Sequence, residues 1–240
     1  MGREREAVDI LGIPFDPLTE EEALSILQGY LNESKNHVVV TPNPEGVMQA
    51  RRNKAFAEAL QGADLRLADG IGIVLAAKIK GKPLPGRVRG VDTAFALFER
   101  LGDFTAYFLG AAPGVAEAAK ENMERRFPGL RVAGFHHGFF SDEEEKHILE
   151  SINELSPDIL LVCTGMPRAE LWAAKNRGIN AKLTMCLGGT MDIMAGTARL
   201  APPIMRRLGL EWLYRLLKQP RRAVRMLDLP KFILAVLFNR

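Results

Sequence analysis

Short apolar or β-branched runs of four to six residues recur along this chain, separated by longer stretches in which apolar residues fall at helical spacing. That alternation constrains the fold more than any other feature, because it is the pattern of strands joined by crossover helices in a parallel α/β sheet. Six strands are expected: His37 to Val40, Leu65 to Ala68, Thr105 to Leu109, Arg131 to Phe135, Ile159 to Cys163 and Lys182 to Leu187. All but the fourth reach a Gly, Pro or Asp within two residues, and ligands of such sheets gather at the strand ends.

Helix starts are also legible. Thr19 with Glu22, and Ser141 with Glu144, fit a capping box in which each partner satisfies the other's free N–H. Leu24, Leu27 and Leu31 then form one apolar stripe, and Ile148, Ile152 and Leu155 a second, each facing a core. Pro113 opens a third helix with Val115, Ala119 and Met123 on one face. The composition shifts near Arg199 to Pro203, which predicts a catalytic body over 1–198 and an appendage over 199–240.

Charge divides at the same place. Of 32 basic and 29 acidic residues, ten and two lie from Arg199 onward, so the tail carries +8 and the body −5. Such asymmetry points to a polyanionic partner. From Gly209 the tail interleaves Leu210, Trp212, Leu213, Tyr214, Leu216 and Leu217 with cations, which suits a helix lying on an anionic membrane surface. Packing on its own body, on a second subunit as a homo-oligomer, or on a nucleic acid are the alternatives. No run of eighteen apolar residues occurs, and the start MGREREAVDI has no apolar stretch after its charges, so neither a membrane span nor a signal peptide is expected. Cys163 and Cys186 sit inside apolar runs and read as core residues of a protein from a reducing compartment.

Polar residues and glycines collect where the strands end. Thr41-Pro42-Asn43-Pro44 reads either as a proline-stiffened turn with an Asn cap, or as a hydroxyl and a carboxamide facing a crevice. Asp69-Gly70-Ile71-Gly72 offers Asp69 as an ordinary helix N-cap or, in a catalytic site, as a general base. A dinucleotide fingerprint would need a third glycine where Leu75 stands, which argues against NAD. Arg87 and Arg89 lie in a turn-rich segment, where a guanidinium fork suits a diphosphate. The segment from Gly110 to Gly114, Gly165-Met166-Pro167 and Gly188-Gly189-Thr190 repeat the theme of a strand followed by small residues, and together they favour a nucleotide-sized crevice.

A metal site is not expected. His136 and His137, as neighbours on a strand, should point to opposite faces, and His147 has no HExxH or cysteine partner. Nor is there a GxSxG elbow for a nucleophilic serine. An oxidoreductase with a nucleotide cofactor and a nucleic-acid-binding protein remain as rival readings.

Taken together, VVTPNPE, ADGIGIV, LPGRVRG, LGAAPGVAE, FPGLRVAGFHHGFF, GMPRAELW, LGGTMDIMAG and GLEWLYRLLKQPRR resemble the bacterial WecG/TagA/CpsF glycosyltransferases over nearly the whole chain. The likeness is closest to the TagA-like branch of wall teichoic acid synthesis. It implies a Rossmann-like, mostly parallel sheet flanked by helices, with a basic amphipathic C-terminal helical appendage. The implied activity is an inverting, metal-independent transfer of N-acetylmannosamine from a UDP-sugar to undecaprenyl-diphosphate-linked N-acetylglucosamine, without a cofactor, on the cytoplasmic face of the membrane. Residue by residue, Asp69 matches the base, Thr41 and Asn43 the polar pair lining its pocket, and Arg87 the adjacent arginine. Arg215, Arg222 and Arg225 match basic residues that close over the site and contact diphosphate. Gly110, Gly165, Gly188, Gly189 and Asp192 are the remaining substrate-binding candidates. One position departs: Ala169 stands where the family carries glutamine, so no carboxamide side chain is available there.

Overall fold

A computed structural model describes residues 6–218 and 227–238. An antiparallel hairpin of β1 (Val8–Ile10) and β2 (Ile13–Phe15) comes first. The main sheet is built from β3 (His37–Val40), β4 (Leu65–Arg66), β5 (Phe104–Gly110), β6 (Leu130–His136), β7 (Ile159–Cys163) and β8 (Leu183–Cys186). All six pair in parallel, in the order β4-β3-β8-β7-β5-β6. Every strand expected from the sequence is present. The hairpin was not expected, and the reason is local: its turn places Leu11 and Gly12 at φ 57° and 90°, a geometry normally advertised by Asn-Gly or Asp-Gly.

Because side chains alternate across a strand, consecutive valines of β3 serve two cores: Val38 and Val40 face one side and Val39 the other. On the first side lie the hairpin, α2 (Pro44–Ala50), α3 (Lys54–Gln61), α4 (Ile71–Ile79), α7 (Asp142–Leu155) and α8 (Arg168–Lys175). Packed on the second are α1 (Glu20–Tyr30), α5 (Gly90–Arg100), α6 (Val115–Arg126) and α9 (Thr190–Met194). Burying each such Val or Leu contributes about 1.5–3 kcal/mol relative to exposure. Both capping boxes form, at Thr19 and Ser141. Two details differ from the sequence reading. Helix α6 begins at Val115, not at Pro113, because Gly114 is its N-cap at φ 82°. The α7 stripe ends at Ile152, since Leu155 is 42% exposed.

The tail forms α10 (Pro203–Arg207), α11 (Glu211–Lys218) and α12 (Asp228–Phe238). Phe232 and Val236, one turn apart on α12, are buried in the first core, where α12 packs on α2 and α4. Among the described residues no helix is long and apolar enough to cross a membrane.

At the amino edge of the sheet, aspartates close the open strand ends. Asp64 accepts the Val38 N–H, Asp158 the Thr105 N–H and Asp16 the Arg66 N–H, each at 2.8 Å. The carboxyl edge is built differently. After β3 the chain enters α2 on the first face, and after β8 it enters α9 on the second, so the two paths diverge and leave a crevice between neighbouring strands.

Candidate active site

Five adjacent strands deliver the site candidates to that edge. Asp69 follows β4, Thr41 and Asn43 follow β3, Gly188 and Gly189 follow β8, Gly165 follows β7, and Gly110 ends β5. Four strand spacings separate the first from the last, about 19 Å, enough to lay out an extended ligand.

Asp69 is not a helix cap. The N-cap of α4 is Gly70, at φ 106°, with no side-chain cap bond. Instead the Gly90 N–H donates to the Asp69 carboxylate, and Val88 N–H donates to Ala68 O at 3.0 Å, which ties the arginine-bearing loop to the end of β4. Gly90 also lies so close to Thr41 and Leu187 that a Cβ there would meet Thr41 Cγ2 at 3.0 Å and Leu187 Cδ2 at 2.9 Å. Any larger residue would have to push these side chains aside, so glycine suits the point where the three segments converge. The Asp69 carboxyl is packed deeply while keeping a half-buried outer edge. Burial raises its pKa to about 6, against the opposing pull of Arg215, the Gly90 N–H and Arg89, with Glu211 adding to the rise.

Thr41 and Asn43 are half-buried beside it. Thr41 Oγ1 donates to Cys186 O at 3.3 Å and joins the ends of β3 and β8. Asn43 caps α2, its Oδ1 accepting the Gly46 N–H at 2.9 Å, and its Cβ lies next to Gly70. Arg87 is engaged with the tail, donating to both carboxylate oxygens of Glu211 at 3.1 and 3.0 Å. Arg215 is exposed on α11, yet its charge reaches Asp69. Arg222 and Arg225 lie outside the described residues.

Towards the far side of the crevice, the loops at Gly165 and Gly188 have positive φ and open space beside them. Gly189 is the N-cap of α9, and Asp192 leans back over it, its Oδ2 3.7 Å from where a Gly189 Cβ would stand. Gly110 packs on the Cys163 backbone, so β5 and β7 touch there. Ala169 is wholly buried in the first core.

Two expectations are corrected. His136 and His137 do not diverge: β6 ends at His136, His137 turns with the loop, and their rings sit 4.4 Å apart. Glu170, passed over in the sequence, is 6% exposed, and burial pushes its carboxyl up to about 7, while Oε2 has no partner among the described residues. Its only one-dimensional signal is an acid beside the apolar positions Ala169, Trp172 and Ala173 of α8. Cys163 and Cys186 are core residues as expected, and burial pushes the Cys163 thiol up to about 12.

A deep carboxylate with flanking guanidinium groups, at the carboxyl edge of a parallel sheet, suits proton abstraction next to a diphosphate leaving group. One relative, an N-acetylglucosaminyldiphosphoundecaprenol N-acetyl-beta-D-mannosaminyltransferase of Bacillus spizizenii, is 36% identical over 211 residues, 87% of this chain and 81% of the relative. An enzyme of the same name from Staphylococcus aureus (strain MRSA252) is 32% identical over 231 residues, 94% and 90% of the two chains. Neither rival reading gains support from these matches. Residues 8–240 match the glycosyl transferase WecG/TagA/CpsF family, and the chain, a glycosyltransferase, belongs to it.

Proposed function

We propose that this enzyme transfers N-acetylmannosamine from UDP to an N-acetylglucosamine carried on undecaprenyl diphosphate, the acceptor and sugar named for its relatives. The observation that carries the reading is Asp69, held by Gly90 and flanked by Arg89 and Arg215. Its carboxyl takes the proton of the acceptor's C4 hydroxyl while that oxygen attacks the anomeric carbon from the face opposite UDP. The new carbon–oxygen bond forms as the bond to the β-phosphate breaks, its electron pair leaves with UDP, and the configuration inverts. Arg87 and the tail arginines, Arg215 with Arg222 and Arg225, supply the counter-charge for the departing diphosphate, so no metal is required. Gly110, Gly165, Gly188, Gly189 and Asp192 line the donor's path.

Residues 1–198 form the catalytic body and 199–240 an appendage that rests on the cytoplasmic face of the membrane, where the acceptor's lipid lies. Exposed Ile204, Leu208, Trp212 and Leu217, interleaved with cations, support that reading. The test is incubation with a panel of UDP-sugars and a short-chain prenyl-diphosphate N-acetylglucosamine, with the product linkage determined. N-acetylmannosamine should be the sugar transferred. Asp69→Asn should abolish transfer while UDP still binds near normally; wild-type turnover by that variant would remove Asp69 from the mechanism.

A further inference from the structure

Beside Asp69, five residues from three separate segments close into a ring, with four links between side chains and one through the Arg206 carbonyl. Arg87 grips Glu211 through both carboxylate oxygens, and its other terminal nitrogen donates to Arg206 O at 2.6 Å. Arg89 donates to Glu211 Oε1 at 3.0 Å and pairs through Nε with Asp92 at 2.5 Å. Asp92 accepts from Arg206 Nη2, also at 2.5 Å, which closes the circuit.

Exposed ion pairs of this kind contribute little, but these side chains are only 15–26% exposed, and Glu211, Arg89 and Asp92 each bridge two charged partners. Removing one member leaves a partly desolvated charge without its partner. Three of the five belong to the body and two to the tail, so the ring joins the halves. The turn between α10 and α11 is seated equally closely: a Cβ on Gly209 would meet Ile71 Cβ at 2.9 Å, two residues from Asp69. One helical turn beyond Glu211 stands Arg215, which is exposed and so depends on the rest of α11 for its place.

We propose that Arg206 and Asp92 are positioning residues for glycosyl transfer: through the ring they hold α11 over the pocket so that Arg215 faces the Asp69 carboxylate. The inference rests on the function proposed above. Its consequence is readable in pH. The charged groups acting on Asp69 are Arg215 and Glu211 from α11 and Arg89 from the loop before α5, and Arg215 outweighs Glu211. Lifting α11 removes both charges together with the cover it gives the carboxyl, and burial is the strongest influence on that group, so the acid limb of the rate profile moves off its wild-type position.

Initial rates against pH with a soluble short-chain acceptor provide the test, with thermal midpoints measured alongside. Arg206→Glu should lower kcat at least tenfold and displace the acid limb, while Arg206→Lys stays close to wild type in both. Asp92→Asn, which loses the ion pairs to Arg89 and Arg206, gives the same readout should Arg206→Glu fail to fold. Wild-type kinetics in Arg206→Glu, or a lost rate with an unmoved limb, overturns the proposal. Carbon-13 NMR of the Asp69 carboxyl reads the same shift without turnover. A wild-type chain that transfers nothing, yet shows this shift against Arg206→Glu, would sink the proposed activity and leave the ring standing.

Discussion

Asp69 and Glu170 keep their protons far longer than ordinary carboxyl groups, to about 6 and about 7 against 3.8 and 4.5, chiefly because they are buried. Since the folded values are raised, the unfolded chain releases these protons first, and native stability falls as pH climbs from about 4 to 7. Each group then costs on the order of 2–3 kcal/mol at neutral pH. Asp69→Asn and Glu170→Gln should therefore each raise the thermal midpoint at pH 8 by several degrees and change it little at pH 4. Melts of the three proteins at both pH values check this; a lower midpoint for both variants at pH 8 would contradict it. For Asp69, the same burial predicts that kcat/KM rises through about pH 6 as the base ionises. Asp69, Thr41 and Asn43 were legible in the sequence because each stands where a strand meets its loop. Glu170 was not, since nothing in one dimension distinguishes a buried first-turn acid from a solvated one. Nor was the partnership of Arg206 with Asp92, whose 114-residue separation only the tertiary fold spans.

Asn43 does two jobs at the level of the element, and substitutions can separate them. Asn43→Ala removes the α2 cap and should cost about 1 kcal/mol. Asn43→Asp keeps an oxygen for the Gly46 N–H and should hold stability, while losing the amide donors and adding a second negative charge beside Asp69. Denaturant melts and initial rates on the two variants should show stability lost in the first, and transfer lost at least tenfold with stability kept in the second. Gly110 sets a different limit. With φ 148° and a virtual Cβ 2.5 Å from the Cys163 carbonyl carbon, Gly110→Ala must push β5 from β7 and should cost roughly 3 kcal/mol, measurable in the same melts. Strand positions and capping boxes were readable because period and cap chemistry are local signals. The hairpin escaped notice because its strands are three residues long and its turn uses Leu where Asn is usual.

Across the whole molecule, both acidic residues of the tail help fasten it to the body. Glu211 holds Arg87 and Arg89, and Asp228 holds Arg52, one residue past the C-cap of α2, at 2.5 Å. Their charges are thus spent on arginines of the body, and every other charged side chain of the tail is basic. Pelleting with anionic vesicles should weaken as ionic strength rises. It should also fall in Ile204→Glu with Leu208→Glu, two positions 68% and 65% exposed, with the thermal midpoint unchanged. Cutting the chain after Ala198 is a poorer test, because it strips Phe232 and Val236 from the core. The parallel sheet and the basic tail were both apparent from the sequence; how the tail docks was not, because that depends on a handful of long-range pairs. The strand order has a consequence for biogenesis. The strand made last, β8, fills the gap between β3 and β7, so until Cys186 clears the ribosome the nascent chain carries two open, aggregation-prone hydrogen-bonding edges. Translation must nearly finish before those edges can meet, which leaves a long interval in which a chaperone has something to hold.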